Sequence, residues 1–193
     1  MLLGNIILSI IFISLAISYY IYIRNSRKNT KLKNFPFWYR GKKYWYSRSC
    51  ATVLFIFCKN AQNEWCVLAN KRGKGTPDFQ GYWNVPCGYM EHDLSGEENA
   101  TKEAYEECGI FIAEEQVKLF NVETSPKANK QNISLRYYAI LKECTTDFNL
   151  NSEHSEKNEV SDIKWIPLNE IDNYQWAFNH DIRAKEISSI VLK

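Results

Sequence analysis

Three glutamates lie close together near the middle of the chain, at Glu103, Glu106 and Glu107. Residues three or four positions apart share one side of an α-helix, so a helix here would gather the three carboxylates within one arc. Like charges at these spacings cost a helix about 0.2–0.5 kcal/mol per pair, which favours a cation between them. Carboxylate oxygens are hard ligands and suit Mg²⁺ or Mn²⁺ better than a thiolate-bound zinc. Most Glu-rich helices are simply exposed to solvent. The surrounding sequence is therefore needed to distinguish a metal site from an exposed helix face.

The helix that would carry these glutamates has clear start and stop signals. Ser95 and Glu98 have the spacing of a capping box, in which each residue satisfies a free backbone N–H of the other. Gly109 follows Cys108 and can adopt the left-handed conformation that ends a helix. The sequence therefore predicts a helix over residues 96–108.

The remaining elements are predicted from short apolar runs between turn-like segments. The predicted strands cover 49–57, 64–70, 82–86, 117–123, 133–141 and 163–166, and a closing helix covers 174–192. Strands and helices do not alternate regularly, which favours a mixed sheet covered by helices. The six cysteines include no Cys-x-x-Cys pair, so zinc-ligand spacing is absent, and we expect reduced, partly buried thiols.

The segment around the glutamates resembles the Nudix box, a glycine- and glutamate-rich motif of hydrolases. Residues 88–110 read GYMEHDLSGEENATKEAYEECGI and keep the spacing of that motif without a gap. The positions that match it outright are Gly88, Glu103, Glu106, Glu107, Gly109 and Ile110, and Lys102 and Ala104 are near substitutions. Two positions depart from it: Leu94 stands where the family has Glu, and Lys102 stands where it has Arg.

The resemblance extends over about 49–166 and implies both a fold and an activity. The fold would be an α/β/α sandwich with a mixed β-sheet. The activity would be Mg²⁺-dependent hydrolysis of a diphosphate bond in a nucleoside diphosphate derivative, with Mn²⁺ as an alternative metal. A homodimer is a further assembly that the family suggests.

The resemblance also implies a set of site residues. The metal ligands would be Glu103, Glu106, Glu107 and the main-chain carbonyl of Cys87. The catalytic residues would be Glu106 and a general base from the acidic loop of Glu153, Glu156 and Glu159, among which we favour Glu159. The residues that would contact the substrate are Lys71, Arg72, Phe79 and Gly88, with Phe79 stacking on a base. His180 would lie either at the mouth of the pocket or on the surface of the closing helix.

Two other functions fit the same segment. Because Leu94 and Lys102 depart from the motif, the domain could bind a nucleotide or ADP-ribose as a membrane-tethered sensor without cleaving it. Isomerisation of a prenyl diphosphate is also known on this scaffold, but no Cys and Glu pair for that reaction stands out in the sequence.

The first 23 residues form a separate region without a charged side chain, reading MLLGNIILSIIFISLAISYYIYI. As a helix they would be about 33 Å long, enough to cross a hydrocarbon core of about 30 Å. Five Lys or Arg residues follow within 24–33, so the positive-inside rule predicts a single-pass anchor with the domain facing the cytoplasm. The predicted organisation is an anchor over 1–23, a basic linker over 24–36 and a Nudix-like domain over 37–193.

The charges of the whole chain nearly cancel, with 24 Lys or Arg residues against 22 Asp or Glu residues. No overall field therefore attracts nucleic acid, and no specific nucleic-acid partner is predicted. The predicted partners are a small nucleotide substrate and, through residues 1–23, the membrane.

Overall fold

The computed structural model of the chain describes residues 13–20, 34–129, 131–145, 148 and 158–193. The chain divides into two compact units, Met1–Ser47 and Arg48–Lys193. Of the predicted anchor, residues 13–20 are helical, while 1–12 and 21–23 lie outside the described residues. Among the residues described, no helix has both the length and the hydrophobicity that a bilayer crossing requires.

The described part of the first unit contains a two-stranded hairpin of β1 (Phe35–Tyr39) and β2 (Lys42–Tyr46). Its two-residue turn, Arg40 and Gly41, has φ angles of 47° and 75°. Positive φ at both central residues gives a turn whose twist matches that of the paired strands. The predicted linker extends here to residue 36, and the hairpin was not predicted, because aromatic residues occupy both faces of its strands and hide the period of two.

The second unit is built on one mixed sheet of seven strands. Its elements are β3 (Ser49–Lys59), β4 (Trp65–Arg72), β5 (Trp83–Asn84), β6 (Cys87–Tyr89), α1 (Gly96–Cys108), β7 (Lys118–Glu123), β8 (Asn132–Ile140), β9 (Val160–Pro167) and α2 (His180–Val191). Strand β3 runs parallel to β8 and antiparallel to β4 and β6, and β9 pairs antiparallel with β4. The predicted mixed sheet is confirmed.

Strand β3 shows why the unit has two cores. Leu54 and Ile56 point to the side covered by α1, whereas Phe55 and Phe57 point to the side covered by α2. Successive side chains of a strand alternate between the two faces of the sheet, and all four of these are fully buried. The result is the predicted α/β/α sandwich.

Two boundaries differ from the sequence prediction. The run 82–86 is not one strand, because Pro86 interrupts it and the chain passes from β5, paired with β4, to β6, paired with β3. The closing helix begins at His180 rather than near 174, because Trp176 forms a bridge with Trp83 and the backbone of Phe178 takes a φ of 58°.

The cysteines differ from the expectation of reduced thiols. Cys58 and Cys144 form a disulfide with their Cα atoms 5.4 Å apart, so the expectation is wrong for this pair. The other four cysteines are free thiols. The sequence could not show the pairing, because 86 positions separate the two residues and only the packing of the 141–145 segment beside the end of β3 brings them together.

Candidate active site

The acidic helix α1 covers the predicted residues, Gly96–Cys108. The hydroxyl of Ser95 accepts a hydrogen bond from the Glu98 N–H (3.1 Å), and the Glu98 carboxylate accepts one from the Ser95 N–H (2.6 Å). Gly109 ends the helix at φ 68°. Its small residues Ala100 and Ala104 are buried on the sheet, which fixes the rotation of the helix and directs the neighbouring arc of glutamates toward β6.

Glu107 is the most deeply placed of the three glutamates, with 5% of its surface exposed. Its Oε2 atom accepts hydrogen bonds from the side-chain amide of Asn70 (2.6 Å) and from the Cys87 N–H (3.1 Å). Burial, followed by the negative charge of Glu103, raises its pKa well above the usual value. The carboxylate is thus held rigidly in a place where its charge is poorly compensated.

Glu103 packs against the backbone of Gly88 on β6. A Cβ atom at Gly88 would lie 2.2 Å from the Glu103 Oε1, so a larger residue here would displace this carboxylate from its position. Burial raises the pKa of Glu103 to about 7, and the charges of Glu106, Glu159 and Glu91 add to this effect, whereas that of Lys102 opposes it. Glu103 and Glu107 therefore flank the Cys87–Gly88 segment from the helix side.

Glu106 has a different partner. The Lys102 ammonium forms an ion pair with Glu106 and a second one with Glu91, at 3.1 Å from its Oε1. The backbone N–H of Glu91 donates to the side chain of Asn99 (3.0 Å), which holds this loop against the helix. Glu91 thus supplies a carboxylate beside Lys102 although Leu94 occupies the family's acidic position.

Glu159 lies just before β9 and acts electrostatically on this group. Its carbonyl accepts a hydrogen bond from the Gly73 N–H (2.6 Å), and its negative charge raises the pKa of both Glu103 and Glu107. Gly73 is required there, because a Cβ would lie 2.2 Å from the carbonyl oxygen of Asn158. The other two candidates for the base, Glu153 and Glu156, lie outside the described residues.

The donor set is chemically suited to a hard divalent ion. In the part of the chain that the structure describes, no three His, Cys, Asp or Glu side chains form a ready-made metal cluster. The carboxylates of Glu103 and Glu107 nevertheless approach the same backbone segment, and the space that a Cβ of Gly88 would fill is occupied by a carboxylate. Oxygen donors of this kind fit Mg²⁺ or Mn²⁺.

The predicted substrate-contacting residues divide into two groups. Gly88 lies on β6 beside the carboxylates, whereas Lys71, Arg72 and Phe79 lie at the end of β4 or in the loop after it. Gly88 lies against Glu103 as described, while Arg72 ends β4 and pairs with Asp78 at 2.7 Å. The Arg72 guanidinium also lies 5.1 Å from the ring centre of Phe178, and the Lys71 ammonium lies 5.9 Å from that of Trp83. Arg72 therefore supports the loop after β4.

Phe79 lies in an aromatic group at this loop, next to Phe178. The two ring centres are 4.9 Å apart with the rings tilted by 66°, and Tyr82 packs on the other side of Phe79 at 5.7 Å. Both phenylalanines remain more than two-fifths exposed, and both have positive φ angles, 49° and 58°. Positive φ is a strained conformation for a bulky residue, and such strain concentrates at functional sites. The structure thus presents two exposed rings beside the end of β4.

His180 is buried, so both sequence hypotheses for it are wrong. Its Nδ1 accepts a hydrogen bond from the Val85 N–H (3.2 Å), and burial lowers its pKa to about 3. The neutral imidazole supports the backbone just before β6 and packs beside Phe178 at 5.4 Å.

Three residues of this region were not singled out from the sequence as site residues, namely Asn70, Asn99 and Phe178. A buried amide within a strand, as at Asn70, is a usable signal because buried polar groups require partners. The role of Phe178 carried no local signal, since its contact with Phe79 joins segments about 100 positions apart in the chain.

The comparison with family models matches the NUDIX domain over residues 48–187. This match spans well over half of the chain and includes every glutamate described above. The chain belongs to the NUDIX family. The match begins at Arg48, next to the boundary between the two units.

Solved structures share this fold at low sequence identity. The NUDIX domain of Shewanella oneidensis NrtR, complexed with ADP ribose, has a TM-score of 0.62 at 18% identity, covering 75% of this chain and 88% of that one. A MutT/nudix family protein from Enterococcus faecalis has a TM-score of 0.61 at 16% identity, covering 91% and 70%. An Ap4A hydrolase from C. elegans has a TM-score of 0.54 at 17% identity, covering 74% and 98%. A search of curated proteins found no match.

Proposed function

We propose that this NUDIX protein hydrolyses the phosphoric anhydride bond of a nucleoside diphosphate derivative. The observation that carries the proposal is the approach of Glu103 and Glu107, from one face of α1, to the Cys87–Gly88 backbone. Two of the similar structures are a NUDIX domain complexed with ADP ribose and an Ap4A hydrolase. They support a nucleotide with a diphosphate or longer phosphate chain as the substrate class.

The metal would be Mg²⁺ or Mn²⁺, held by Glu103, Glu106, Glu107 and the main-chain carbonyl of Cys87. When bound, it would neutralise the phosphoryl oxygens and lower the pKa of water. The chain itself contributes the rigid placement of Glu107 through Asn70 and the orientation of Glu106 through Lys102. Placement of this kind matters because groups supporting metal ligands commonly change affinity or rate by about 10–100-fold.

Glu159 is our candidate for the general base that takes the proton from the attacking water. The negative charge of Glu159 raises the pKa of Glu103 and of Glu107, which supports a position near these carboxylates. Its backbone is tied to Gly73, so the loop that carries it is fixed to the end of β4. A base must come within hydrogen-bond reach of its proton, and this anchoring limits how far Glu159 can move away.

The aromatic group supports a nucleoside rather than a simple diphosphate. Asn70, which contacts Glu107, lies two residues before Arg72 on β4, a distance of about 7 Å along a strand. The Arg72 guanidinium lies 5.1 Å from the ring centre of Phe178, so the exposed rings stand beside the same strand that carries Asn70. Stacking on an aromatic ring is the usual way to hold a base without reading its edge.

A second function, binding without cleavage, is favoured by one observation. The Lys102 ammonium pairs with Glu106, where a metal ion would otherwise supply the positive charge. In that function the domain would be a sensor of nucleotide or ADP-ribose, and turnover would be absent.

One experiment separates the two functions. The full-length protein is incubated with Mg²⁺ and a panel of nucleoside diphosphate derivatives, beside Glu106→Gln and the exposed control Glu114→Gln. Hydrolysis that falls by about 100-fold or more in Glu106→Gln, but not in Glu114→Gln, supports the enzyme. Binding without turnover favours the sensor. The absence of both binding and turnover contradicts both functions.

We further propose that residues 1–23 tether the protein to a membrane with the NUDIX domain on the cytoplasmic side. The uncharged run followed by basic residues supports this orientation. The Cys58–Cys144 disulfide points the other way, because disulfides are rare in the cytosol. Protease digestion of sealed inverted vesicles tests the orientation: a domain protected from the protease contradicts it.

A homodimer stays a prediction of the family resemblance. Light scattering on the purified full-length protein measures it, and a mass of a single chain at micromolar concentration would contradict it.

A further inference from the structure

The hairpin of β1 and β2 has an unusual composition for an element exposed to water. All ten of its strand residues are exposed, and seven of them are aromatic: Phe35, Phe37, Trp38, Tyr39, Tyr44, Trp45 and Tyr46. An isolated two-stranded hairpin is only marginally stable in water, and large exposed apolar patches mark interaction sites. The hairpin therefore needs a partner that covers aromatic rings.

The rings occupy both faces of the hairpin. On one face Phe35 stacks on Tyr46, with ring centres 4.9 Å apart, and further aromatic pairs follow along the strands. The pairing register puts Trp38 and Trp45 on the opposite face. A protein groove covers one face of a hairpin, whereas the headgroup region of a bilayer surrounds an inserted element on both faces. The distribution of rings thus favours a bilayer as the partner.

Cations accompany the rings. The Lys43 ammonium lies 4.9 Å from the ring centre of Trp45 and 5.7 Å from that of Trp38, and the Arg40 guanidinium lies 5.3 Å from that of Tyr39. With Lys42 these residues make the turn end of the hairpin basic. Aromatic rings next to cations are the pattern of elements that lie at the interface between lipid tails and anionic headgroups.

The charge of the whole first unit has the same sign. Residues 1–47 contain eight Lys or Arg residues and no Asp or Glu, so all 22 acidic residues belong to the second unit. The near neutrality of the chain is therefore the sum of a strongly basic first unit and an acidic second unit. An anionic lipid surface would attract the first unit and repel the second.

We propose that the β1–β2 hairpin lies in the headgroup region of an anionic bilayer, with Trp38 and Trp45 at the level of the upper acyl chains. The proposal rests on the membrane location in the proposed function, and not on the way in which residues 1–23 hold the protein there. In this position the hairpin keeps the part of the chain that follows the tether at the surface of the bilayer.

Tryptophan quenching by brominated lipid tests the position of the hairpin. Bromine quenches only indoles that reach the acyl region, and two of the six tryptophans of the chain are in the hairpin. The full-length protein is reconstituted from detergent into vesicles of brominated phosphatidylcholine and phosphatidylserine, and bound protein is isolated by flotation. The variants are Trp38→Phe/Trp45→Phe and, as the matched control, Trp65→Phe/Trp165→Phe in the second unit.

We expect the wild type and the control pair to show quenched emission, and Trp38→Phe/Trp45→Phe to lose it. Replacing Arg40, Lys42 and Lys43 with glutamine should lower the quenched fraction about twofold in vesicles with phosphatidylserine and remove its dependence on salt. These losses would assign the contact to the rings and cations of the hairpin.

The possible results separate failure of the hairpin from failure of the tether. Protein that floats but shows the same quenching in wild type and Trp38→Phe/Trp45→Phe overturns the hairpin proposal alone and indicates that a protein surface covers the rings. Flotation that requires phosphatidylserine and disappears in high salt supports the hairpin and overturns the tether. Protein that does not float with any vesicle overturns both.

Discussion

The two halves of the candidate site are built in different ways. The carboxylate half comes from consecutive turns of one capped helix, with Glu103 and Glu107 packed against the Cys87–Gly88 backbone of β6. The aromatic half comes from two distant loops, where Phe79 and Phe178 meet in strained backbone conformations. The first half therefore depends on α1 and on its packing against β4 and β6, whereas the second depends on the docking of the segment before α2. We expect the first half to control the chemical step and the second to control substrate affinity.

The largest expected effect comes from Glu107→Gln. The substitution keeps the shape and removes a charge that Asn70 and the Cys87 N–H hold in place. We expect kcat to fall by about 1,000-fold, with a small change in KM, because the charge is needed for the reaction rather than for substrate binding. The measurement is steady-state kinetics with Mg²⁺, beside Glu115→Gln as an exposed control; an equal loss in both variants would contradict the role of Glu107.

The next effect concerns pH and needs no substrate. Glu103 has a pKa of about 7 in the folded protein against 4.5 for the free side chain, so the folded state holds the proton to higher pH than the unfolded state. The metal-free protein should therefore lose stability as pH rises from about 4.5 to 7, by up to about 3 kcal/mol, and Mg²⁺ should reverse the loss. Urea unfolding at several pH values measures it.

The control for the pH effect is Glu103→Gln, which should have a weaker dependence on pH and a weaker response to Mg²⁺. A wild-type protein whose stability rises over this pH range, or one that Mg²⁺ does not stabilise, would contradict the assignment. This result would contradict the proposed role of the carboxylate half of the site and would not bear on the aromatic half.

The aromatic half is tested by Phe178→Ala and Phe79→Ala. Loss of a stacking ring should raise KM for a nucleotide substrate about tenfold with kcat nearly unchanged, because stacking contributes about 1–3 kcal/mol per base. Phe111→Ala is the matched control, since Phe111 is 85% exposed on the loop after α1. A fall in kcat with constant KM would show that the rings do not bind the base.

The smallest effect is expected from Lys102→Arg, which restores the residue of the family motif. Arginine keeps the charge and adds a planar donor group that can pair with Glu91 and Glu106 together. We expect kcat to rise about threefold. Lys102→Met should lower it, and combining Lys102→Met with Glu91→Gln should cost less than the two single changes together if the pair acts as a unit.

Local sequence signals predicted most of the second unit. The capping box and Gly109 defined α1, and the buried run of β3 identified the central strand, because both depend on residues within one turn or one strand. The β1–β2 hairpin, the split at Pro86 and the start of α2 were not predicted. Each of these depends on a neighbour distant in the sequence or on a pattern without a polar face, so no local period reveals it.

The candidate site shows the same division. The motif spacing alone identified Glu103, Glu106 and Glu107, and the departures at Leu94 and Lys102 were visible beside it. Only the folded chain showed that Glu91 pairs with Lys102, that Asn70 holds Glu107 and that His180 is buried. These contacts join segments that the sheet brings together.

By itself, the sequence determined the helix, the face that its glutamates share and the chemistry of their oxygen atoms, because residue type and spacing fix these within a few turns of chain. The tertiary structure decided which strand backbone the glutamates approach, which rings stand beside them and which cysteines join. Those outcomes depend on how the sheet orders its strands, and strand order is set by burial across the whole unit rather than by any one segment.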